Sequence, residues 1–228
     1  MTLKVYEELE QGTPEWLQAR CGVLTASVIG KMITPSTLKP SMGEVAKTMV
    51  RTLAAERISG IVEDNYPSHD MQRGTLLEPF ARALYADHYQ PVQEVGFMTR
   101  DDWGTIAGYS PDGLVGKFGL IEIKSPRAKT HVNTIIWDQP PNMYMAQLQM
   151  GLRVSGRDWI DYVSFCPGYP LYVKRVYRDY CWVKALDCAV IRAEEEIQRV
   201  IQKYEANIPG MVPTEWFDPF EEQEIQVF

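Results

Sequence analysis

The chain has 228 residues, of which 45% are hydrophobic and 11% aromatic, so it carries enough apolar side chains for a sizeable core. No apolar run approaches the roughly 20 residues that span a bilayer, and the amino terminus is too charged for a secretory signal, so we expect one cytoplasmic domain over residues 1–228 with no membrane contact. The net charge of −7 argues against a chain that is basic throughout, as neutralising nucleic-acid phosphates would require.

The acidic excess is concentrated at the carboxyl terminus. Residues 204–228 hold six acidic residues and no Lys or Arg, and removing those six charges from −7 leaves −1 for the first 203 residues. The tail from about 206 to 228 alternates acids with aromatic residues, which is typical of a docking segment or of disorder. The cations left for a basic groove are Arg20, Lys31, Lys39, Lys47, Arg51, Arg73, Arg127 and Lys129.

The cysteines form no C-x-x-C pair, which argues against a zinc site or a disulfide framework. We predict that all four are reduced packing residues. An iron–sulfur cluster is the alternative, although the gaps of fifteen and seven residues among the last three argue against it. The four are Cys21, Cys166, Cys181 and Cys188.

Two helix starts are predicted near the amino terminus. Thr13 and Pro14 are suited to the N-cap and the first helical position of one helix, and Thr25 precedes a second apolar run. Helix amino termini that carry hydroxyl groups bind phosphates, so Arg20, Thr25 and Ser27 could hold one together. The alternative is that the hydroxyls only cap the helix and the arginine extends to solvent.

A loop is predicted over 33–43, a helix over 44–59 and an irregular segment over 61–73. Gly60 is suited to end the helix. The residues expected inside this helix are Val45, Met49, Leu53 and Ile58.

The next helix contains Pro79, which cannot donate an interior hydrogen bond, so the helix is predicted to begin within a turn of it. Glu78 would then lie near the amino-terminal end, where it could lean toward a metal or pair with Arg82 one turn later.

Val92–Thr99 and Gly104–Tyr109 are predicted as two strands joined by a turn at Asp101 and Asp102. The hairpin that follows would complete a three-stranded antiparallel unit.

That hairpin, Ser110–Lys124, carries the strongest chemical signal. Asp112 stands in a Pro-Asp-Gly turn, while Glu122 and Lys124 share one face of the second strand because side chains alternate along a strand. Two carboxylates beside an ammonium suit an oxygen-ligated cation and a polarised water, which points to phosphodiester hydrolysis. The alternative is a solvated edge strand, since an acidic-x-Lys tripeptide is expected about once by chance in a chain of this composition.

The remaining pattern predicts a helix over 142–154, a hairpin from strands 159–165 and 171–177, and a long helix over 181–205. Gln147 is a polar residue within the first of these helices. The residues of that helix that are predicted to pack in the core are Met143, Ala146, Met150 and Leu152.

Several of these segments together resemble the phage lambda exonuclease and YqaJ-type viral recombinase nuclease family, over about residues 12–177. The resemblance implies an α/β fold with a restriction-endonuclease-like core, in which helices flank a central mixed β-sheet. The matching blocks are RCGVLTAS from Arg20, Glu78 on its helix, SPDG from Ser110, EIK from Glu122 and YMAQ from Tyr144.

The resemblance implies a metal-dependent enzyme that digests one strand of linear double-stranded DNA from 5′ to 3′ and leaves a 3′ overhang for recombination by single-strand annealing. It also implies two Mg²⁺ ions per site, replaceable by Mn²⁺, a ring-shaped homotrimer, a single-strand annealing protein as partner, and the cytoplasm of a bacterial or phage-infected cell. Two alternatives remain open, namely a structure-specific or nick-specific endonuclease on the same core and a non-cleaving protein that binds DNA ends.

Carried onto this sequence, the resemblance makes Asp112, Glu122 and the main-chain carbonyl of Ile123 the metal ligands. Lys124 would orient or activate the attacking water, and Glu78 would contribute to the same site.

The resemblance further implies that Gln147 positions groups at the metal site and that Arg20, Ser27 and Ser110 hold the 5′ phosphate. The sequence departs from the family in lacking an obvious basic residue after the second helix, where Lys39 is the nearest candidate.

Overall fold

The computed structural model describes residues 2–62 and 68–217. Eleven strands are present in this part of the chain: β1 Leu3–Tyr6, β2 Leu24–Thr25, β3 Ile33–Thr34, β4 Lys39–Pro40, β5 Val92–Gln93, β6 Phe97–Arg100, β7 Ala107–Tyr109, β8 Gly113–Val115, β9 Gly119–Lys124, β10 Trp159–Ser164 and β11 Tyr172–Tyr177. The same residues form seven α-helices: α1 Pro14–Arg20, α2 Ala26–Ile29, α3 Glu44–Ser59, α4 His69–His88, α5 Ala128–Trp137, α6 Asn142–Ser155 and α7 Tyr180–Asn207.

The larger sheet has five strands in the order β11-β10-β9-β8-β5. β9 and β10 run parallel, with Glu122 opposite Tyr162, and the other pairs are antiparallel. The second sheet has the order β1-β6-β7-β2, with a parallel β2–β7 pair, and β3 and β4 form a small separate hairpin.

Helices cover both faces of the five-stranded sheet. On one face α6 packs against β10 and reaches β6 and β7 of the second sheet, and α2, α3 and α7 pack behind it around the main core. On the other face α4 packs on β9, and Tyr85 joins Ile121, Ile123 and Val163 in a smaller core. The predicted α/β class with a mixed sheet between helices is confirmed.

Several predicted elements are confirmed closely. Thr13 caps α1 by accepting a hydrogen bond from the Trp16 amide at 3.3 Å, and Gly60 ends α3 with a left-handed φ of 72°. The structure also agrees with the predicted helix over 142–154, the β10–β11 hairpin and the long carboxy-terminal helix.

The prediction that a helix begins close to Pro79 is wrong. α4 begins at His69, where the Ser68 hydroxyl accepts from the Met71 amide at 3.2 Å, and the proline lies inside the helix. One missing hydrogen bond is tolerated because Ala81 and Tyr85 of the same helix are buried against the sheet. The predicted irregular segment 61–73 is therefore wrong from residue 69 onward, and 63–67 lies outside the described residues.

The single strand predicted over Val92–Thr99 is also wrong, because the chain changes sheets within it. β5 pairs with β8, whereas β6 pairs with β1 and β7, so the predicted three-stranded unit is divided between two sheets. The crossing occurs at Gly96, where an added Cβ would stand 1.8 Å from the Leu9 carbonyl oxygen. Only glycine permits this approach of two backbones.

Some residues predicted to be buried in α3 and α6 lie instead on the exposed faces of these helices. Val45 of α3 and Met143 of α6 are 63% and 72% exposed, and Ile58 is exposed too, because small residues such as Ala46 and Ala54 form the buried face of α3. The predicted loop 33–43 contains the β3–β4 hairpin.

Three further elements or positions differ from the sequence prediction. α5 was missed because its buried residues, His131 and Thr134, are polar, while its apolar residues face outward. Cys166 is buried as predicted, whereas Cys181 and Cys188 are exposed and do not pack.

Among the helices of the described residues, none has the length and apolar composition that a membrane span requires. Residues 218–228 of the predicted acidic tail lie outside the described residues.

Candidate active site

The Pro-Asp-Gly segment does not form the predicted turn; it leads into β8, and the hairpin turns instead around Gly116, whose φ is 51°. Gly113 is required for space, since an added Cβ would stand 2.1 Å from a methyl carbon of Val92. Because Gly113 pairs with Ile121, Asp112 lies opposite the end of β9, and its carboxylate accepts the Ile123 amide at 2.5 Å.

Glu122 is the most enclosed carboxylate of the site, with 1% of its surface exposed. Its Oε1 accepts from Lys124 Nζ at 2.7 Å and from the side-chain amide of Gln147, and its Oε2 accepts from the Tyr109 hydroxyl at 2.9 Å. Three donors from β7, β9 and α6 therefore fix one carboxylate, which pre-organises the position of both oxygens.

Asp112 and Glu78 add further negative charge around Glu122. Burial, followed by the carboxylates of Glu122 and Glu78, raises the pKa of Asp112 well above its usual range. Burial also raises the pKa of Glu78, while Arg82 one turn later opposes the shift through a direct ion pair. The carboxylates of Glu78, Asp112 and Glu122 therefore repel one another, and a bound cation would reduce that repulsion.

Lys124 is the cation of this group. Burial alone would lower the pKa of its ammonium, but Glu122 and Asp112 outweigh the burial and raise it. The ammonium also lies 5.6 Å from the centre of the Tyr144 ring. Lys124 is therefore charged in this setting, and it can orient a water or a phosphate oxygen but cannot readily give up its proton.

The donor set fits a hard cation. Two carboxylates and a main-chain carbonyl are oxygen ligands of the kind Mg²⁺ takes, and Mg²⁺ keeps several waters of its own. In residues 2–62 and 68–217, no three His, Cys, Asp or Glu side chains converge as a complete metal site. The predicted set of Asp112, Glu122 and the Ile123 carbonyl therefore needs water or substrate oxygens to complete the coordination.

A cleft of about 550 Å³ opens beside these groups. Glu78, Asp112, Ile123 and Lys124 line its floor, and the starts of α4, α5 and α6 form its walls. The predicted cations Arg73 and Arg127 lie at this side of the molecule, where Arg73 donates to the Ser125 carbonyl at 2.6 Å and Arg127 pairs with Asp70.

Arg20 forms a second cluster next to the first. Its guanidinium stacks 4.2 Å from the centre of the Trp16 ring and donates to Ser110 Oγ at 2.9 Å and to Ser27 Oγ at 3.4 Å. Burial lowers its pKa to about 10, and its contacts are with hydroxyls and aromatic rings. Its hydrogen bonds are with neutral hydroxyls, and the charge of Glu56 only partly offsets the effect of burial on its pKa, so the guanidinium is suited to an anionic ligand.

The two clusters are joined through the backbone, because Ser110 and Asp112 are separated by one residue. All nine predicted site residues thus fall into two adjoining groups. Lys39 lies on β4 of the small hairpin and is exposed.

Sequence reasoning missed the contributions of Tyr109 and Trp16. The sequence pattern predicts only a strand position for Tyr109, yet its buried hydroxyl donates a hydrogen bond to Glu122. The Trp16 indole N–H donates to Ser110 Oγ at 3.0 Å and to the Gly96 carbonyl at 3.1 Å, which anchors the hydroxyl that faces Arg20. Both contacts join residues more than ten positions apart, so local patterns carry no signal for them.

Comparison with known proteins identifies relatives of this arrangement. Residues 15–158 match the model of the YqaJ-like viral recombinase domain. An alkaline exonuclease (LHK-Exo) from Laribacter hongkongensis is 33% identical, with a TM-score of 0.78 over 88% of this chain and all of that one. A structure of LHK-Exo with dAMP gives 34% identity and a TM-score of 0.76 over the same shares.

A phage-related exonuclease from Haemophilus somnus 129PT shares the fold at 14% identity, with a TM-score of 0.62 over 80% of this chain and 96% of that one. No curated protein sequence matches the chain. The restriction-endonuclease-like core predicted from the sequence is confirmed by these structures. The chain belongs to the family of the YqaJ-like viral recombinase domain.

Proposed function

We propose that the protein is a Mg²⁺-dependent exonuclease that degrades one strand of linear double-stranded DNA from 5′ to 3′ and leaves a 3′ single strand. The observation that carries this proposal is the adjacency of the two clusters. Arg20 with Ser27 and Ser110 offers a place for a terminal phosphate, and the Asp112–Glu122 pair lies beyond Pro111. A pocket that holds the 5′ end would set the next phosphodiester bond against the carboxylates.

Relatives support the chemistry. LHK-Exo is described as an alkaline exonuclease and was crystallised with dAMP, a nucleotide with one phosphate. The family is that of a viral recombinase domain, in which a 3′ overhang would serve an annealing reaction. A homotrimer and an annealing partner belong to the same proposal.

The proposed mechanism assigns each residue of the site a task. Asp112, Glu122 and the Ile123 carbonyl would hold Mg²⁺, two ions per site and replaceable by Mn²⁺, which when bound polarises the phosphate and lowers the pKa of water. Lys124 orients the attacking water, and Gln147 keeps Glu122 in place.

The remaining tasks concern the substrate end. Glu78, held by Arg82, contributes negative charge at the edge of the site. Arg20 neutralises the terminal phosphate and fixes its distance from the reacting bond, which is the orientation that speeds a bound reaction.

The test measures digestion of linear duplexes with 5′-phosphate or 5′-hydroxyl ends, labelled at either end, beside a closed circle. We expect 5′ mononucleotides first, a preference for the phosphorylated end and an intact circle. Arg20→Ala should remove that preference. Digestion of the circle would favour an endonuclease, and no release of nucleotide with Mg²⁺ or Mn²⁺ would favour a non-cleaving end-binding protein.

Arg157→Ala is the matched control for Arg20→Ala. Burial lowers the pKa of Arg157 as well, and its guanidinium donates to the carbonyls of Gly116 and Gly119 at 2.8 and 2.7 Å. Its loss should lower stability but leave the ratio between phosphorylated and hydroxyl ends unchanged. An unchanged ratio in Arg20→Ala would refute the phosphate pocket.

A further inference from the structure

A second cationic surface lies between α3 and α7. The groove there measures about 370 Å³, and its floor is formed by Met42, Val50 and Val200. Five cations surround that floor, a high local density in a chain that carries 23 basic and 30 acidic residues. These cations are Lys47, Arg51, Arg192, Arg199 and Lys203.

The acids at the groove do not cancel this charge. Glu196 is the one carboxylate that lines it among the described residues, and it is largely buried between Arg199 at 2.6 Å and Arg192 at 3.4 Å. Glu44 pairs with Lys47 at 2.8 Å but stands outside the groove, exposed to solvent. Since one buried carboxylate orders two guanidiniums, the groove keeps a net positive charge and a defined shape.

The groove is separate from the candidate active site. Within the described chain, none of its lining residues lines the cleft formed by Glu78, Asp112 and Lys124. α3 and α7 pack against each other, and α7 also packs against α6 in the main core. The sequence had assigned Lys47 and Arg51 to one basic groove with Arg20, and the structure divides that set between two surfaces.

The chemistry of the groove fits a polyanion. Rigid helices present cations of both types, and Arg pairs with phosphate oxygens through two parallel hydrogen bonds while Lys acts as a point charge. A duplex whose end occupies the cleft would carry phosphates well beyond it, spaced closely enough for several cations of one groove.

We propose that the α3–α7 groove binds the sugar–phosphate backbone of duplex DNA at a distance from the reacting end. This inference rests on the proposed exonuclease function. The groove would contribute affinity and salt sensitivity without touching the chemistry, because phosphate contacts position a protein on DNA and are independent of sequence.

The test compares two triple variants that remove the same charge. Lys47→Gln with Arg51→Gln and Lys203→Gln weakens the groove and leaves the Arg192–Glu196–Arg199 cluster intact. The control neutralises three exposed lysines outside the groove, on β1, at the β8–β9 turn and at the start of α7. Its substitutions are Lys4→Gln, Lys117→Gln and Lys184→Gln.

Affinity for a long blunt duplex is measured with Ca²⁺ in place of Mg²⁺ over a series of salt concentrations. Each lost phosphate contact reduces the slope of log K against log salt by about 0.9, so three contacts reduce it by about 2.7. Between about 50 and 200 mM salt the wild type should lose roughly 40-fold more affinity than the groove variant. The control should keep the wild-type slope.

Digestion separates this result from damage to the active site. With Mg²⁺ the groove variant should show a raised KM and an unchanged single-turnover rate at saturating DNA. An unchanged slope, or equal changes in both triple variants, would overturn the proposal and leave the groove to an acidic protein partner or to bulk charge. A wild type that neither binds nor digests duplex DNA would instead refute the exonuclease function itself.

Discussion

Two buried carboxylates on neighbouring strands have nearly the same partners but different charge balance. Glu122 on β9 and Asp161 on β10 are 1% and 2% exposed, and they point to opposite faces of the same sheet. Each accepts a hydrogen bond from a buried tyrosine and each contacts one cation, Lys124 for Glu122 and Arg175 for Asp161.

The charge at Asp161 is matched within the protein. Arg175 binds both carboxylate oxygens at 2.9 Å, and Tyr85 donates to one of them at 2.7 Å. The hydrogen bond with Asp161 raises the pKa of Arg175, which outweighs the opposing effect of burial. One anion with one bidentate cation stabilises the fold and leaves no demand for a ligand.

The charge at Glu122 is not matched, since Asp112 and Glu78 also interact with Lys124, and the other nearby cation, Arg82, is divided between Glu78 and Glu94. A folded protein retains such an arrangement where a ligand cation completes it, because carboxylates that crowd together otherwise take up protons. Charge balance, more than burial or hydrogen bonding, therefore separates Asp161 from the carboxylate to which the proposed function assigns a metal ion.

The largest effect is expected for Glu122→Gln, which keeps the size and shape of the side chain but removes its charge and replaces one of its two acceptor oxygens by an NH2 donor. Loss of a charged metal ligand costs several kcal/mol of transition-state stabilisation, so nucleotide release should fall at least about a thousandfold. DNA binding measured without divalent metal should be retained or tightened because repulsion is reduced. Hydrolysis close to the wild-type rate would remove this cluster from the chemistry.

Tyr109→Phe tests whether the tyrosine acts through Glu122. Partners that orient a metal ligand typically change metal affinity or activity about 10- to 100-fold, so the Mg²⁺ concentration for half-maximal rate should rise and kcat should fall in that range. Tyr85→Phe is the matched control, because it removes a buried hydroxyl from Asp161. It should cost about 1 to 2 kcal/mol of unfolding free energy without moving the Mg²⁺ response. Equal Mg²⁺ responses in the two variants would contradict the assignment.

Asp161→Asn should act on stability and leave the rate unchanged. Breaking a fully buried ion pair costs about 3 to 5 kcal/mol, but Arg175 is 37% exposed, so about 2 kcal/mol is expected in urea unfolding. Asp138→Asn removes the charge from a solvent-exposed pair with Lys174 and should leave the urea midpoint close to that of the wild type. A loss of activity in the folded Asp161→Asn protein would mean that both carboxylates serve the site.

The sequence was informative about this comparison only where neighbours along the chain decide the geometry. Strand alternation predicts that Glu122 and Lys124 share a face, and the structure has them 2.7 Å apart. Caps and helix stops such as Thr13 and Gly60 are equally local. The Arg175–Asp161 pair was not predicted, because it depends on the cross-strand register of β10 and β11.

Where tertiary contacts decide, local rules gave the wrong answer. Pro79 lies inside α4 because the buried side of that helix outweighs one lost hydrogen bond, and Gly96 permits a crossing between sheets that no strand pattern encodes. α5 was missed since its buried His131 bonds to Ser164 at 2.7 Å, a polar contact that hydrophobic periodicity does not detect.

A smaller loss of rate than that of Tyr109→Phe is expected from Gly151→Ala on α6. A Cβ there would stand 2.8 Å from Cζ of the Tyr109 ring, so the ring must shift and its hydroxyl must move relative to Glu122. Residues in contact couple by about 0.5 kcal/mol or more, and about 0.5 to 1 kcal/mol corresponds to a two- to fivefold loss of kcat. In a Tyr109→Phe background the ring must still shift, but the same substitution should cause no further loss of kcat, because the hydroxyl that it displaces is already absent. Additive losses in the double variant would show that Gly151 acts on the site by a route other than the Tyr109 hydroxyl.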